Sequence, residues 1–68
     1  MHSARIEHSP RLQRVSAVLG DGLAHSTRDI MLNANVCAVN SCVSELRDNG
    51  VGVRCWVKDK VFWYQKED

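Results

Sequence analysis

Apolar residues recur at helical spacing in three blocks along the chain, and then the period changes. In the first block Leu12, Val15, Val18 and Leu19 fall on one face of a helix. Ser9 stands where an N-cap belongs, and Pro10 suits the first helical position, where its missing N–H costs nothing. Gly20-Asp21-Gly22 stops this helix. The second block follows Ser26, a cap with Asp29 three residues later in a capping-box-like place. Ile30 and Met31 are expected to face the core with Leu23 beneath them. This short helix is expected to end near Asn33, and Asn33-Ala34-Asn35 to form a tight turn.

The third block carries Val36, Val39, Val43 and Leu46 in one stripe, which predicts a helix over 36–49 closed by Asn49 and Gly50. Arg47 sits near its C-terminus, where a cation suits the helix dipole. From Val51 the chain is β-branched and aromatic, in two runs separated by Lys58-Asp59-Lys60. That reads as a β-hairpin with a three-residue turn lacking the usual glycine. Val53, Cys55 and Val57 share one face of the first strand and Trp56 takes the other; Phe62 and Tyr64 oppose Val61 and Trp63 on the second. Residues 1–8 are polar and mixed in charge, which predicts a flexible N-terminal arm before a single domain over 9–68. The expected class is α+β: a winged helix-turn-helix, three helices followed by a two-stranded β-hairpin wing.

Composition narrows this picture more than it extends it. With 68 residues the core is small and stability depends on each buried side chain. The formal net charge is +1, low for a dedicated nucleic-acid binder, and predicts weak non-specific DNA affinity. Three cysteines, an odd number, fit a disulfide framework poorly. With no charged leader and no run of roughly 20 apolar residues, the expectation is a cytoplasmic chain with free thiols and no membrane segment.

Candidate chemistry centres on the third helix. Opposite its stripe stand Cys37, Ser41, Ser44, Glu45 and Asp48, flanked by Ala38 and Asn40. If the helix enters a major groove, Asn40 can pair with adenine, Ser41 and Ser44 can donate to bases or phosphates, and Ala38 can touch a thymine methyl. The same small polar side chains would equally suit a plain solvated face. Glu45 and Asp48 would repel phosphates. Candidate phosphate or wing contacts are Ser26, Thr27 and Arg28 at the second helix start, Arg47, and Arg54, Lys58 and Lys60 on the hairpin; Arg11 and Arg14 add charge to the first helix. Each cation alone reads as an ordinary solvated charge.

Trp56 and Trp63 either form a cross-strand pair outside the core or an exposed protein interface. Cys37 and Cys42 lie about 140° apart on a helix and cannot chelate together, and His2, His8 and His25 add no ligand spacing, so neither metal nor cofactor is expected. Phosphate loops, nucleophile elbows and converging carboxylates are lacking, so no enzyme activity is expected.

The run Val36 to Cys55, followed by Val61 to Gln65, resembles small winged helix-turn-helix proteins common in phages and prophages. The resemblance rests on Val43-Ser44-Glu45-Leu46-Arg47, the Asp48-Asn49-Gly50 exit, Val53-Arg54 and Trp63-Tyr64, and covers about Ser9 to Gln65. Cys42 departs from it, standing where the family often has arginine. The resemblance implies a DNA-binding regulator or recombination accessory factor in the host cytoplasm, with double-stranded DNA as partner. One short reading helix covers few base pairs, so a homodimer on paired half-sites is expected. The alternative is a non-enzymatic module that binds a host or phage protein, an inhibitor or adaptor on the same scaffold.

Overall fold

The first two α-helices begin at residues that the sequence marks, and most of each apolar stripe turns inward. The computed structural model describes residues 5–67; of the arm expected over residues 1–8, residues 1–4 lie outside the described residues. Helix α1 spans Pro10–Leu19, with Ser9 Oγ accepting a hydrogen bond from the Leu12 amide at 3.3 Å. Leu12, Val15 and Leu19 are buried, and Val18 packs at the margin of the core. Ahead of α1 the expected arm is partly structured: Ile6–His8 form a turn of 3-10 helix. Ile6 packs against the core, its amide donates to Asn49 Oδ1 at 3.2 Å, and its carbonyl accepts from Gln13 Nε2 at 2.9 Å. One apolar residue with a surface to rest on is enough to anchor an otherwise polar segment.

Helix α2 spans Thr27–Ala34, capped by Ser26 Oγ, which accepts from the Asp29 amide at 3.1 Å. The capping box stays half-made, because the Asp29 carboxylate is engaged by His25 and Asn33 instead. The helix ends at Asn35, whose φ of 54° is the left-handed conformation that asparagine tolerates. Ile30 and Ala34, four residues apart, carry the buried stripe. Met31 and Leu23, both expected inside, are 39% and 63% exposed. Met31 lies one step round the helix from Ile30, and Leu23 sits in the loop before it.

Helix α3 spans Val39–Asp48, three residues later than the expected start at Val36. Val36 is buried all the same, in the turn between helices, with its amide bonded to the Met31 carbonyl at 3.3 Å. The buried stripe is Val39, Cys42, Val43 and Leu46. Cys42 is fully buried, so the position that resembled a surface arginine site is a core position here.

The sheet has three antiparallel strands where two were expected: β1 (His25–Ser26), β2 (Val53–Lys58) and β3 (Val61–Lys66), in the order β1-β3-β2. His25 pairs with Tyr64 and Ser26 with Trp63. A two-residue strand has no period to read, which is why sequence pattern misses it. Val53 and Tyr64 carry one sheet face into the helical core, whereas Cys55, Val57 and Phe62 on that same face stand exposed beyond it. Among the described residues no helix is long and apolar enough to cross a membrane.

The hairpin turn has two residues rather than three, because Lys58 pairs directly with Val61. Asp59 and Lys60 have φ of 53° and 65°, the geometry of a type I′ turn. Asparagine or aspartate followed by glycine is the favoured content of such a turn, and lysine in the left-handed region is disfavoured. Lys60→Gly is therefore expected to stabilise the protein by about 0.5–1 kcal/mol, read as an upward shift of the urea midpoint at constant m-value. An unchanged or lowered midpoint would contradict the turn assignment.

Candidate nucleic-acid interface

Helix α3 buries one side in the core and leaves the other open. Ala38, at its N-cap, and Asn40, Ser41 and Ser44 along its first turns are all exposed. Ala38 offers no side-chain cap; the Ser41 amide instead donates to Asn40 Oδ1 at 3.0 Å. The Asn40 NH₂ group makes no hydrogen bond among the described residues. Small side chains allow close approach to this face. Cys37 is exposed in the turn before the helix rather than on it. Glu45, feared as a repulsive charge, forms an ion pair with Arg11 of α1, with Nη2 to Oε2 at 2.7 Å. Asp48 is exposed at the far end.

A shallow groove of about 240 Å³ runs beside this face, lined by Thr27, Cys37, Val39, Asn40, Phe62 and Tyr64. It joins the N-terminus of α2, the N-terminus of α3 and the inner face of β3. Phe62 is 52% exposed at its rim and pairs across the hairpin with Val57, 56% exposed. Sequence reasoning missed both as surface residues. Alternation put Phe62 and Tyr64 on one face, but only the fold shows that the helices cover Tyr64 and stop short of Phe62.

The candidate phosphate contacts divide into two groups. Arg28, Lys58 and Lys60 are exposed and make no hydrogen bond or ion pair among the described residues. Arg47 is also exposed but is already engaged: its Nε and Nη2 donate to the Val53 carbonyl at 3.1 and 2.7 Å, joining α3 to β2. Arg14 does the same at the other end of the helical layer, with Nε donating to the Ala34 carbonyl at the end of α2 at 2.7 Å. Ser26 Oγ is the α2 cap, and Thr27 Oγ1 lies 3.5 Å from the Phe62 carbonyl. Arg54 stacks over Trp56 at 5.4 Å from the ring centroid. Trp56 and Trp63 are directly paired across the strands and both half-buried, as a cross-strand pair outside the core. Arg54, Trp56 and Lys58 alternate along one face of β2, opposite the face that lines the groove.

His25 organises the entrance to α2. Its Nδ1 meets Asp29 Oδ2, and its Nε2 meets both Asp21 oxygens, at 2.9 and 3.0 Å. The i, i+4 spacing of Asp21, His25 and Asp29 was readable in the sequence, although only the fold brings both carboxylates to one ring. Burial works against the imidazolium, but hydrogen bonds and charge from Asp29 and Asp21 outweigh it, so the His25 pKa is raised above 6.5. The hydrogen bond from His25 holds the Asp21 carboxyl below its ordinary value.

A raised folded-state pKa gives stability that is fully present below about pH 6.5 and lost as pH rises through the folded value. Asp21 contributes in the opposite sense, losing its share as pH falls through its depressed pKa. Stability is thus expected to decline from mildly acidic toward alkaline pH, and His25→Gln to flatten that slope. Denaturation midpoints measured as a function of pH check this; an equal slope in both proteins would refute it.

Comparison with protein-family models, with curated proteins and with solved structures returns no match to this chain. Among the described residues no group of histidine, cysteine and carboxylate side chains is arranged to hold a metal ion.

Proposed function

We propose that the protein is a sequence-specific double-stranded DNA-binding regulator of winged-helix type, a transcription or recombination factor of the phage kind acting in the host cytoplasm. The observation that carries this reading is the two-sidedness of α3. Four buried residues anchor it, while Ala38, Asn40, Ser41 and Ser44 stand uncovered beside the hairpin. Such a helix can lie in a major groove with its N-terminal residues at the base edges. Pairing of Glu45 with Arg11 removes part of the repulsion toward phosphate. Arg28, Lys58 and Lys60 are available for backbone contacts, fewer than composition alone offered. With a net charge of +1, affinity depends on two copies reading paired half-sites.

Selection from a random duplex library, followed by titration of the enriched sequence at several salt concentrations, tests this. A palindromic or repeated motif with salt-sensitive binding is expected; absence of enrichment at low salt would sink the proposal. The exposed Val57–Phe62 pair favours a second reading, a protein-binding module. It predicts a stable complex with a host or phage protein and no enriched duplex.

A further inference from the structure

The order β1-β3-β2 leaves β2 as an open edge six residues long. The structure shows which of its backbone groups face outward. The Gly52 carbonyl accepts from the Glu67 amide at 2.9 Å, toward the β3 side, and the next carbonyl, Val53, points away from β3 to Arg47. Alternation then turns the amides and carbonyls of Val53, Cys55 and Val57 to the open edge, and those of Arg54, Trp56 and Lys58 toward β3. Arg47 occupies one of these outward groups; Cys55 and Val57 retain theirs.

We propose that β2 is a dimerisation edge, pairing antiparallel with β2 of a second copy about a two-fold axis at Cys55, to make one continuous six-stranded sheet. The proposal deepens the paired-half-site reading and rests on it for the dimer's purpose. Register selects the axis. With Cys55 opposite Cys55, Arg54 falls opposite Trp56 and Val53 opposite Val57, so each Trp56 gains a second guanidinium and exposed Val57 meets an apolar neighbour. Lys58 falls opposite Gly52, whose neighbour across the ladder is Glu67. Moving the axis to Trp56 sets Lys58 against Arg54, and moving it to Arg54 sets two guanidiniums face to face; both place like charges opposite each other. The Cys55 register is the one in which charges and apolar surfaces agree. The contact is isologous and closes on itself, so it ends at two copies.

The register has a covalent signature. Directly opposed residues in a hydrogen-bonded antiparallel pair have Cα atoms about 5.5 Å apart, inside the range a disulfide spans. Cys37→Ser treated with diamide, the added oxidant, is expected to give a disulfide-linked dimer that the double variant Cys37→Ser with Cys55→Ser does not form; Cys42 is buried. Under reducing conditions and without DNA, sedimentation equilibrium over a concentration series is expected to show a monomer–dimer equilibrium. Val57→Lys should shift it to monomer with an unchanged circular dichroism spectrum, since Val57 is exposed. A chain monomeric at every concentration, a dimer indifferent to Val57→Lys, or a cross-link that persists in the double variant Cys37→Ser with Cys55→Ser would each overturn the proposal. Because no DNA is present, failure of DNA binding leaves this result untouched, and DNA binding by a monomer would overturn the dimer alone.

Discussion

Cys42→Arg is expected to unfold the protein. Cys42 is fully buried between turns of α3, in one cluster with Val39, Val43 and Leu46 and with Leu12 and Val15 of α1. Burial raises its thiol pKa, as expected of a group held away from water. A guanidinium forced into that position carries a desolvation cost of several kcal/mol, and its bulk adds roughly 1–3 kcal/mol of overpacking. Arg11 and Arg14 already act on the site, so the added charge meets cations as well as Glu45. A domain of this size has only roughly 3–10 kcal/mol of total stability, so the sum removes most or all of it. Cys42→Ala removes a single sulfur and should cost about 1 kcal/mol while keeping a cooperative melt. Thermal and urea denaturation of the two variants separate the cases. An arginine variant that melts like the parent would show that this side of α3 is not core.

The second large effect concerns the open side of the same helix. The double variant Asn40→Ala with Ser41→Ala should lower affinity for a selected duplex by about ten- to a hundredfold, the worth of about 1–3 kcal/mol for base-edge contacts. Stability should fall by only about 0.5 kcal/mol, from loss of the bond between Asn40 Oδ1 and the Ser41 amide. The pattern across salt is diagnostic. Loss of base contacts lowers affinity equally at every ionic strength, whereas loss of a phosphate contact lowers the salt slope by about one. Unchanged affinity with an unchanged melt would remove α3 from the interface.

These two outcomes also mark what the chain discloses before it folds. Ser9, Pro10 and Ser26 announce the helix starts because capping is a local matter between a side chain and amides two or three residues on. The inward stripe of α3 was legible through Val39, Val43 and Leu46. Cys42 completes that stripe, three residues after Val39 and four before Leu46, at a position where the resembled family often has arginine. Position on the helix decides burial there, not residue type. Arg47 could not be assigned from sequence, because the carbonyl that holds it belongs to a strand in another layer. The same is true of β1, whose two residues become a strand only when Tyr64 and Trp63 arrive beside them. Phe62 and Tyr64 have the same pattern and opposite fates, set by where the helices end.

Asn49 gives the molecule an unusual dependence between distant segments. One side chain accepts from the Ile6 amide through Oδ1 and donates to the Glu45 carbonyl through Nδ2 at 2.7 Å. The 3-10 turn ahead of α1 and the last turn of α3 therefore share a single carboxamide. When that first turn peels away, the end of α3 loses a brace at the same moment, and fraying of the two becomes one cooperative opening rather than two. The 3-10 turn thus helps set how firmly the C-terminal end of α3 is held.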